Sequence, residues 1–341
     1  MAARLVAVTG ATGFLGRHLV RELADDGWRV RILARRDAIH PLWRGLEVEV
    51  VLGDLGDEAA LDRLCRDAEL VVHCAGLTKA WTAAAINAVN VEGTRRVAER
   101  TGGRMLLVSS LSAREPDLSD YAASKRGGED AARALLGERI TIVRPPALYG
   151  PGDPETLPLF QLAASSPVLP LLRSDARIAM MHVQDAARQI AALAKLTGAH
   201  VVSLADRRPD GYSWREVLQT AADTFGRKPK FVKIPRLALT AVAAAGRLAS
   251  RSGPAPMLSF GKVREIGHAD WSVASHEQPL DLPAPRYDLA NGFLDSVRGY
   301  QASGVNFGKS VTISEKMLLT YSADAPKYAR FADDRSRGTY R

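Results

Sequence analysis

A tyrosine and a lysine four residues apart are the side chains in this sequence best suited to proton transfer. Tyr121 and Lys125 occur in YAASKRGGEDAARALLG, whose pattern predicts a helix with both side chains on one face. A phenol is a poor acid near neutral pH, because its ordinary pKa is about 10. An ammonium about 5 Å away, at an effective dielectric constant of about 20, favours the phenolate by about 3 kcal/mol and lowers the pKa by about two units. Tyr121 is therefore a candidate to give a proton to a carbonyl oxygen or remove one from an alcohol.

Three serines shortly before this pair could bind the oxygen atom that reacts. Ser109 and Ser110 end the apolar run RMLLVSS, which predicts a buried strand, and Ser112 follows. A hydroxyl aimed at a developing charge orients and stabilises the reacting oxygen. We expect Ser110 in this role, because the strand should carry it to the carboxyl edge of its sheet. Ser109 and Ser112 remain alternatives, and a plain helix-surface contact is the alternative for the tyrosine and lysine.

A glycine-rich segment near the start of the chain predicts a nucleotide-binding turn. TGATGFLG carries Gly10, Gly13 and Gly16 at intervals of three, between an apolar strand at 5–8 and a segment with helical spacing of apolar residues. Gly10 permits a tight turn, Gly13 lets the backbone approach a pyrophosphate, and Gly16 lets the helix pack close to the strand. Amide groups at the start of the helix then face the phosphates. A flexible turn is the alternative.

Strands and helices alternate through the first half of the sequence. Further strands are predicted in WRVRILARR, VEVVLGD, ELVVHCAG and RMLLVSS, with helices in DEAALDRLCRDA and WTAAAINAVNVEGTRRVAERT. This alternation predicts an α/β fold, a Rossmann-type doubly wound parallel sheet. We expect this nucleotide-binding domain at 1–178 with a returning segment at 179–205. A smaller C-terminal substrate lobe is expected at 206–305, and a poorly ordered or interacting tail at 306–341.

The end of the second predicted strand bears on the choice of coenzyme. An acidic residue about 20 positions beyond the glycine-rich segment would bind the ribose hydroxyl of NAD. Arg35 and Arg36 stand there, and two guanidinium groups suit the 2′-phosphate of NADP. We therefore expect NADP(H). Asp37 keeps NAD(H) as an alternative, and solvated surface arginines are the third interpretation.

The composition argues against several other classes of protein. The chain has 341 residues, a formal net charge of +8 and two cysteines, Cys65 and Cys74, which offer neither a disulfide framework nor metal-ligand spacing. No apolar run reaches the roughly 18 residues of a membrane span, and the opening residues run straight into a strand, leaving no room for a signal peptide. Basic residues are scattered and aromatic residues make up 6%, which argues against nucleic-acid binding. We expect a cytoplasmic protein, with the oligomeric state open and a homo-oligomer among the alternatives.

Taken together and in order, these motifs resemble an extended or atypical short-chain dehydrogenase/reductase of the NAD-dependent epimerase/dehydratase kind. The matching segments span about residues 4–197 and include TGATGFLG, GDL, VVHCAG, NVEGT, VSS, YAASK, RPPALYGPGD and MMHVQDAARQIAAL. The resemblance implies that Ser110, Tyr121 and Lys125 are the catalytic residues. It also implies a coenzyme site made of Gly10, Thr12, Gly13, Phe14, Leu15, Gly16, Arg35, Arg36, Asp54, Leu55, Ala75, Gly76, Asn90, Tyr121, Lys125 and Pro145.

The resemblance also implies particular roles within the coenzyme site. Asp54 would contact the adenine end, and Asn90 would steady the site. Pro145 and Pro146 would shape the side that faces the nicotinamide. These roles are carried over from the family by matching motifs and are expectations for this sequence.

Two departures from the family narrow the substrate class. Nucleotide-sugar epimerases and dehydratases have a longer stretch between the catalytic hydroxyl and the tyrosine, whereas this chain has only LSAREPDLSD. Sugar 4,6-dehydratases place an Asp-Glu pair after the catalytic hydroxyl, where this chain has Leu111 and Ser112. The short segment resembles members that act on lipid-like ketones and alcohols: hydroxysteroid dehydrogenase-like proteins, the complex I accessory subunit group and bacterial ceramide-type reductases.

The expected function is transfer of hydride between a nicotinamide coenzyme and a carbonyl or secondary alcohol of a lipid-like molecule. The sharpest form of this expectation, which rests on resemblance, is reduction of a 3-keto sphingoid or ceramide-type lipid. A nucleotide-sugar epimerase and a non-catalytic, coenzyme-bound structural subunit are the two alternatives.

In the second half, RIAMMHV predicts a strand that contains His182. A structural hydrogen bond between lobes is favoured over catalysis for this histidine. Residues 233–252 are mostly apolar and carry three arginines. Packing within the small lobe is the first interpretation of this segment, and peripheral contact with a membrane surface is the second.

Overall fold

Parallel strands form the layer on which the predicted nucleotide site is built. The structure is a computed structural model, and it describes residues 4–308 except 39, 172, 174, 236–237, 239, 242–243, 245–258 and 279–281. The strands in chain order are β1 (Leu5–Thr9), β2 (Arg29–Ala34), β3 (Val48–Leu52), β4 (Leu70–His73), β5 (Arg104–Val108), β6 (Ile140–Arg144), β7 (Ala147–Tyr149), β8 (Val168–Leu171), β9 (Arg177–Ile178), β10 (Met180–His182), β11 (His200–Ser203), β12 (Tyr212–Ser213), β13 (Lys230–Lys233) and β14 (Asp270–Trp271). The helices with established bounds are α1 (Gly16–Asp25), α2 (Glu58–Cys65), α3 (Ala83–Asn87), α4 (Thr94–Arg100), α5 (Asp120–Leu136), α6 (Leu157–Ser165), α7 (Val183–Leu193), α8 (Trp214–Thr224), α9 (Phe260–Ile266) and α10 (Leu289–Ala302).

One parallel sheet of seven strands runs in the order β11-β6-β5-β4-β1-β2-β3. The chain passes from β1 to β2 and β3 on one side, and then resumes with β4 on the other side of β1. In sheets of this kind, ligands bind beyond the carboxyl ends of the strands, next to this reversal of order. The predicted doubly wound, Rossmann-type sheet is confirmed.

The central strands are apolar throughout because helices cover both faces of the sheet. Val6 and Val8 of β1 are fully buried in a cluster with residues of α1 and α7. Ala7, between them, belongs to a second cluster that includes Leu61 of α2. Successive side chains of β1 point to opposite faces of the sheet, and each face is covered by an apolar core. The predicted strand therefore has no polar side.

The predicted helix over 81–101 is interrupted in the structure. A π-helical segment, Ala88–Gly93, lies between α3 and α4. Helix α5 packs closely here, since a Cβ atom on Gly128 would lie 2.4 Å from the carbonyl oxygen of Asn90. A π segment of this kind widens one turn and often occurs at a functional site. The local pattern of apolar residues does not reveal it, because its partners are distant in sequence.

The strand predicted in RIAMMHV is also divided into two. Ile178 of β9 pairs with Tyr212 of β12 and Trp271 of β14, whereas Met180 of β10 pairs with Ala147 of β7. The residue between them joins the two small sheets: Ala179 N–H donates to the Trp271 carbonyl at 3.1 Å, and its own carbonyl accepts from Ala147 N–H at 3.3 Å. Competing partners on either side therefore break what the sequence presents as one strand.

A further core lies outside the large sheet and is built around aromatic side chains. Phe293 of α10 meets Tyr149 and Phe160 edge to face, with ring centroids 5.1 and 5.0 Å apart. The predicted domain boundaries stay predictions. Most of 233–252, and the tail from 309 onward, lie outside the described residues. Within the described part of the chain, no helix is both long and apolar enough to cross a membrane.

His182 connects the end of β10 with α10 and the segment before it. Its Nε2 atom lies 3.2 Å from a carboxylate oxygen of Asp295, and its ring stacks on Tyr287 with centroids 3.8 Å apart. The ring also accepts the N–H of Gln184 at the start of α7, at 3.4 Å. These contacts agree with the structural role that the sequence favours for this histidine.

Candidate active site

Ser110 and Tyr121 meet at the carboxyl edge of the sheet. Ser110 lies just beyond β5, and Tyr121 occupies the first turn of α5. The Ser110 side chain is near enough to the phenol to lower its pKa, and it accepts the N–H of Ser112 at 3.2 Å. Ser109 is buried, and its hydroxyl has no hydrogen-bond partner among the described residues. The structure therefore brings Ser110, the serine that the sequence favours, to the phenol.

The electrostatics of Tyr121 correct one expectation from the sequence. Burial raises the pKa of Tyr121 to about 12, and the Ser110 side chain opposes this only in part. Lys125 lies one turn further along α5 and donates to the carbonyl of Val108 at 2.8 Å. Burial lowers the pKa of Lys125 to about 8. The prediction of a lowered tyrosine pKa is wrong for this structure, because loss of solvation is the largest effect on the phenol and Lys125 is not among the groups that offset it.

Asn90 holds two parts of the site together from the π-helical segment. Its Oδ1 atom accepts the N–H of Leu77 at 2.7 Å, and its Nδ2 donates to the Leu77 carbonyl at 2.9 Å and to the Ser124 hydroxyl at 2.9 Å. Leu77 follows β4, and Ser124 precedes Lys125 on α5. A Cβ atom on Gly76 would lie 3.2 Å from Asn90 Oδ1 and 3.7 Å from Lys125 Nζ. Asn90 therefore positions the loop after β4 against the face of α5 that carries Lys125.

Behind Asn90 lies a buried hydrogen-bond chain that sequence reasoning missed. Thr94 Oγ1 donates to the Asn90 carbonyl at 2.7 Å and lies 3.0 Å from His73 Nε2. Because the proton of the Thr94 hydroxyl is already used in the bond to the Asn90 carbonyl, the hydroxyl oxygen must accept the hydrogen bond from His73. The imidazole ring therefore carries its proton on Nε2. The other ring nitrogen, Nδ1, then accepts from Thr9 Oγ1 at 2.7 Å, and Thr9 accepts the N–H of Ala75 at 3.3 Å. The only sequence signal was the histidine inside the apolar run VVHCAG.

Burial lowers the pKa of His73 to about 3, and the charge of Lys125 acts in the same direction. The ring is therefore neutral at physiological pH, as the hydrogen-bond directions require. In this state it links the end of β4 with Thr9 at the end of β1 and with Thr94 at the start of α4, which is itself bonded to the π-helical segment. The three segments that surround the candidate coenzyme site are thus joined through one imidazole.

The glycine-rich turn fits a pyrophosphate group. Gly10 has a φ of +70°, and a Cβ atom there would lie 2.5 Å from the Ala75 nitrogen. On Gly16 a Cβ atom would lie 2.0 Å from the Gly10 carbonyl oxygen, so α1 begins in close contact with the turn. The N–H groups of Thr12, Phe14 and Leu15 donate to no group in the described residues. These donors, next to the start of α1, suit an anionic ligand.

Other residues implied in the coenzyme site lie along the same edge of the sheet. Arg35 and Arg36 are exposed just beyond β2. Asp54, just beyond β3, is also exposed and accepts the N–H of Gly56 at 2.7 Å.

Leu55 packs on Gly93, where a Cβ atom would lie 2.8 Å from the leucine side chain. Among the described residues, no hydrogen bond or ion pair joins these side chains beyond β2 and β3 to Ser110 or Tyr121, and their roles toward a coenzyme stay predictions.

Pro145 and Pro146 are buried just beyond β6. The carbonyl of Pro145 accepts the N–H of Leu111 at 2.9 Å, which fixes the segment that follows Ser110. Pro145 therefore borders the segment that follows Ser110, and the role of Pro145 and Pro146 on the side that faces the nicotinamide stays a prediction.

These features define a dinucleotide-binding enzyme fold with a serine, tyrosine and lysine at the carboxyl edge of the sheet. Residues 6–204 match the NAD dependent epimerase/dehydratase family, and the chain belongs to that family. It is an oxidoreductase-type member of this NAD-dependent family, as the resemblance predicted.

Two relatives and one solved structure show the range of similar proteins. The chain is 52% identical over 304 residues to a ceramide reductase of Caulobacter vibrioides, covering 88% of this chain and 95% of that protein. It is 27% identical to the mitochondrial NADH dehydrogenase [ubiquinone] 1 alpha subcomplex subunit 9 of Arabidopsis thaliana, covering 92% and 81%. The structure of MoeE5 in complex with UDP-glucuronic acid and NAD has a TM-score of 0.66 and 22% identity, covering 88% and 100%, and shows the shared fold.

Proposed function

We propose that this protein reduces a ketone of a ceramide-type lipid to a secondary alcohol, with NADPH favoured over NADH as the hydride source. The observation that carries the proposal is the 52% identity with a ceramide reductase over 95% of that protein's length. The substrate expected from the short LSAREPDLSD segment, a 3-keto sphingoid or ceramide-type lipid, agrees with this relative.

Tyr121 is the proton donor in the proposed reaction. Since its pKa is raised to about 12, the phenol keeps its proton at neutral pH and can donate it. The Oη–H bond breaks as the carbonyl carbon of the substrate accepts a hydride, and the proton forms the new hydroxyl group. A bound reduced nicotinamide supplies the hydride. Reduction therefore uses the protonation state that the folded protein favours.

The residues around Tyr121 orient the substrate and stabilise the charge left behind. The Ser110 side chain is near enough to the phenol to affect its pKa, so a carbonyl oxygen that binds Tyr121 also lies within reach of the serine hydroxyl. Lys125, with a pKa of about 8, is mostly protonated at neutral pH and stabilises the phenolate after proton transfer. Asn90 holds this face of α5 through Ser124.

The preference for NADPH rests on Arg35 and Arg36. Both guanidinium groups are exposed at the carboxyl end of β2, in the position where an acidic residue would bind the ribose of NAD. Asp37, also exposed, is the feature that favours NADH. Peripheral membrane contact through 233–252 and homo-oligomer formation stay predictions.

The test is a substrate panel with a matched variant. Purified protein is incubated with keto-lipids and with sugar nucleotides, each with NADPH and with NADH, and compared with Tyr121→Phe. We expect turnover of a keto-lipid, and a loss of about 100-fold or more in kcat for the variant with unchanged coenzyme affinity. The variant keeps the ring and removes only the hydroxyl, so packing is preserved.

Two outcomes would overturn the proposal. Turnover of a UDP-sugar, with NAD retained through purification, would identify a nucleotide-sugar epimerase. Coenzyme binding without turnover of any member of the panel would identify a structural subunit.

A further inference from the structure

Helix α9 is packed against the amino end of the helix that carries Tyr121 and Lys125. A Cβ atom on Gly261 would lie 2.7 Å from the Ser119 side chain, so only a glycine permits this approach. Arg264 Nε donates to the carbonyl of Leu118 at 2.7 Å. The first turn of α5 is therefore held by a helix more than 120 residues further along the chain.

Glu265 is the buried residue at the centre of this contact. It is 6% exposed, and its carboxylate accepts a hydrogen bond from the Ser119 hydroxyl. The same hydroxyl accepts the N–H of Ala122 at 3.0 Å and so caps α5. On the other side, Lys262 Nζ lies 3.4 Å from Glu265, and Trp271 Nε1 donates to the Glu265 carbonyl at 2.8 Å. The carboxylate thus fixes the direction in which the capping hydroxyl points.

Several groups face Tyr121 from the elements packed around it. Glu265 on α9, Glu155 before α6 and Cys74 after β4 each favour the protonated phenol, in that order, whereas the Ser110 side chain opposes them. Lys125 shares α5 with the tyrosine. Burial raises the pKa of the Cys74 thiol to about 11, which leaves it uncharged at neutral pH.

The two carboxylates differ in their surroundings. Each carboxylate has a lysine nearby, Lys79 at 3.0 Å from Glu155 and Lys262 at 3.4 Å from Glu265, but Glu155 is 41% exposed, so solvent also screens its charge. Glu265 is buried, and no solvent shell weakens its field. The buried carboxylate is therefore the stronger of the two influences on the phenol.

We propose that Glu265 is a positioning residue for Tyr121, which holds the amino end of α5 through Ser119 and places a carboxylate charge behind the proton donor. The proposal rests on the proposed function, because it takes Tyr121 as the group that gives its proton to the substrate. It assigns a part in the reaction to α9, where sequence reasoning placed none.

The test compares the pH profiles of charge-neutralising variants in the reductive direction. Removal of the negative charge makes the phenolate easier to form, so Glu265→Gln should move to lower pH the part of the alkaline decline of kcat that lies above the titration of Lys125 near pH 8. The expected shift is about one pH unit, the size for a unit charge at roughly 10 Å and an effective dielectric constant of about 20. Glu155→Gln should shift the decline less. Glu138→Gln, an exposed glutamate just beyond the other end of α5, should leave it unchanged.

A second variant keeps the proposal testable if Glu265→Gln folds poorly. Lys262 is 49% exposed, so Lys262→Met should fold, and loss of its charge should move the alkaline decline to higher pH. Ser119→Ala removes the cap but keeps the carboxylate. It should lower the thermal midpoint without moving the decline to lower pH.

A measurement without substrate separates failure of this inference from failure of the proposed function. Protein labelled with ¹³C at the tyrosine ζ carbon gives a resonance for Tyr121, assigned among the eight tyrosines by Tyr121→Phe. At about pH 11, Glu265→Gln should show more phenolate at this resonance than the wild type. The inference would be overturned if the Tyr121 resonance were unchanged in Glu265→Gln and the alkaline decline of kcat fell at the same pH in all variants. A shifted resonance in a protein that reduces no carbonyl would overturn only the proposed function.

Discussion

Acidification should destabilise this protein through His73, and the size of the effect can be worked from the structure. The ring is fully buried between Thr9 and Thr94, and its pKa falls from an ordinary value of 6.5 to about 3. In the unfolded chain the same ring takes up a proton near its ordinary pKa. Its contribution to stability is therefore fully present above pH 6.5 and is lost as the pH falls from 6.5 toward 3.

Between pH 7 and pH 5 this difference amounts to about 2 kcal/mol of unfolding free energy. The assay is urea unfolding at both pH values for the wild type and for His73→Gln, which cannot titrate. Other buried groups, such as His18, titrate in both proteins and cancel in the comparison. The variant should be less stable at pH 7 but should lose about 2 kcal/mol less than the wild type on acidification. If the two free energies fall in parallel, the buried neutral ring is not the acid-sensitive element, and the reasoning fails.

Two further predictions concern the coenzyme and the loop after β4. The double variant Arg35→Ala and Arg36→Ala should raise the Kd of NADPH by about 10-fold or more while changing that of NADH little, since each charge-assisted bond to a phosphate is worth about 1.5–3 kcal/mol. Fluorescence titration measures both constants, and equal weakening of the two coenzymes would contradict the NADP preference. Asn90→Ala should lower the unfolding free energy by about 2–3 kcal/mol and also reduce kcat, because three hydrogen bonds to Leu77 and Ser124 are lost. A stability loss with wild-type kcat would show that Asn90 supports the fold alone.

Local patterns were sufficient for much of the sheet. The run RLVAVTG predicted a strand at 5–8, and the structure has β1 at Leu5–Thr9. The glycine spacing predicted a turn leading into a helix, and α1 begins at Gly16. These elements follow from backbone sterics and from the burial of both faces of the sheet, and each is encoded within about ten adjacent residues.

The errors arose where distant segments compete for the same residues. The helix over 81–101 gained its π segment because Asn90 bonds to Leu77 and Ser124 while α5 approaches at Gly128. The divided strand at 177–182 has different pairing partners on either side of Ala179. Neither arrangement can be deduced from the period of apolar residues, because the deciding contacts come from elsewhere in the chain.

The sequence by itself determined the α/β class, the order of the strand-forming segments along the chain and the glycine turn. It also determined the candidate catalytic residues Ser110, Tyr121 and Lys125. Only the tertiary structure decided that burial would raise the pKa of Tyr121, that His73 would join three segments as a neutral ring, and that Glu265 would reach the cap of α5. The physical reason is that propensity and turn geometry act over a few residues. Solvation, buried charge and hydrogen-bond direction depend on which side chains surround a group in space, and that surrounding is assembled from the whole chain.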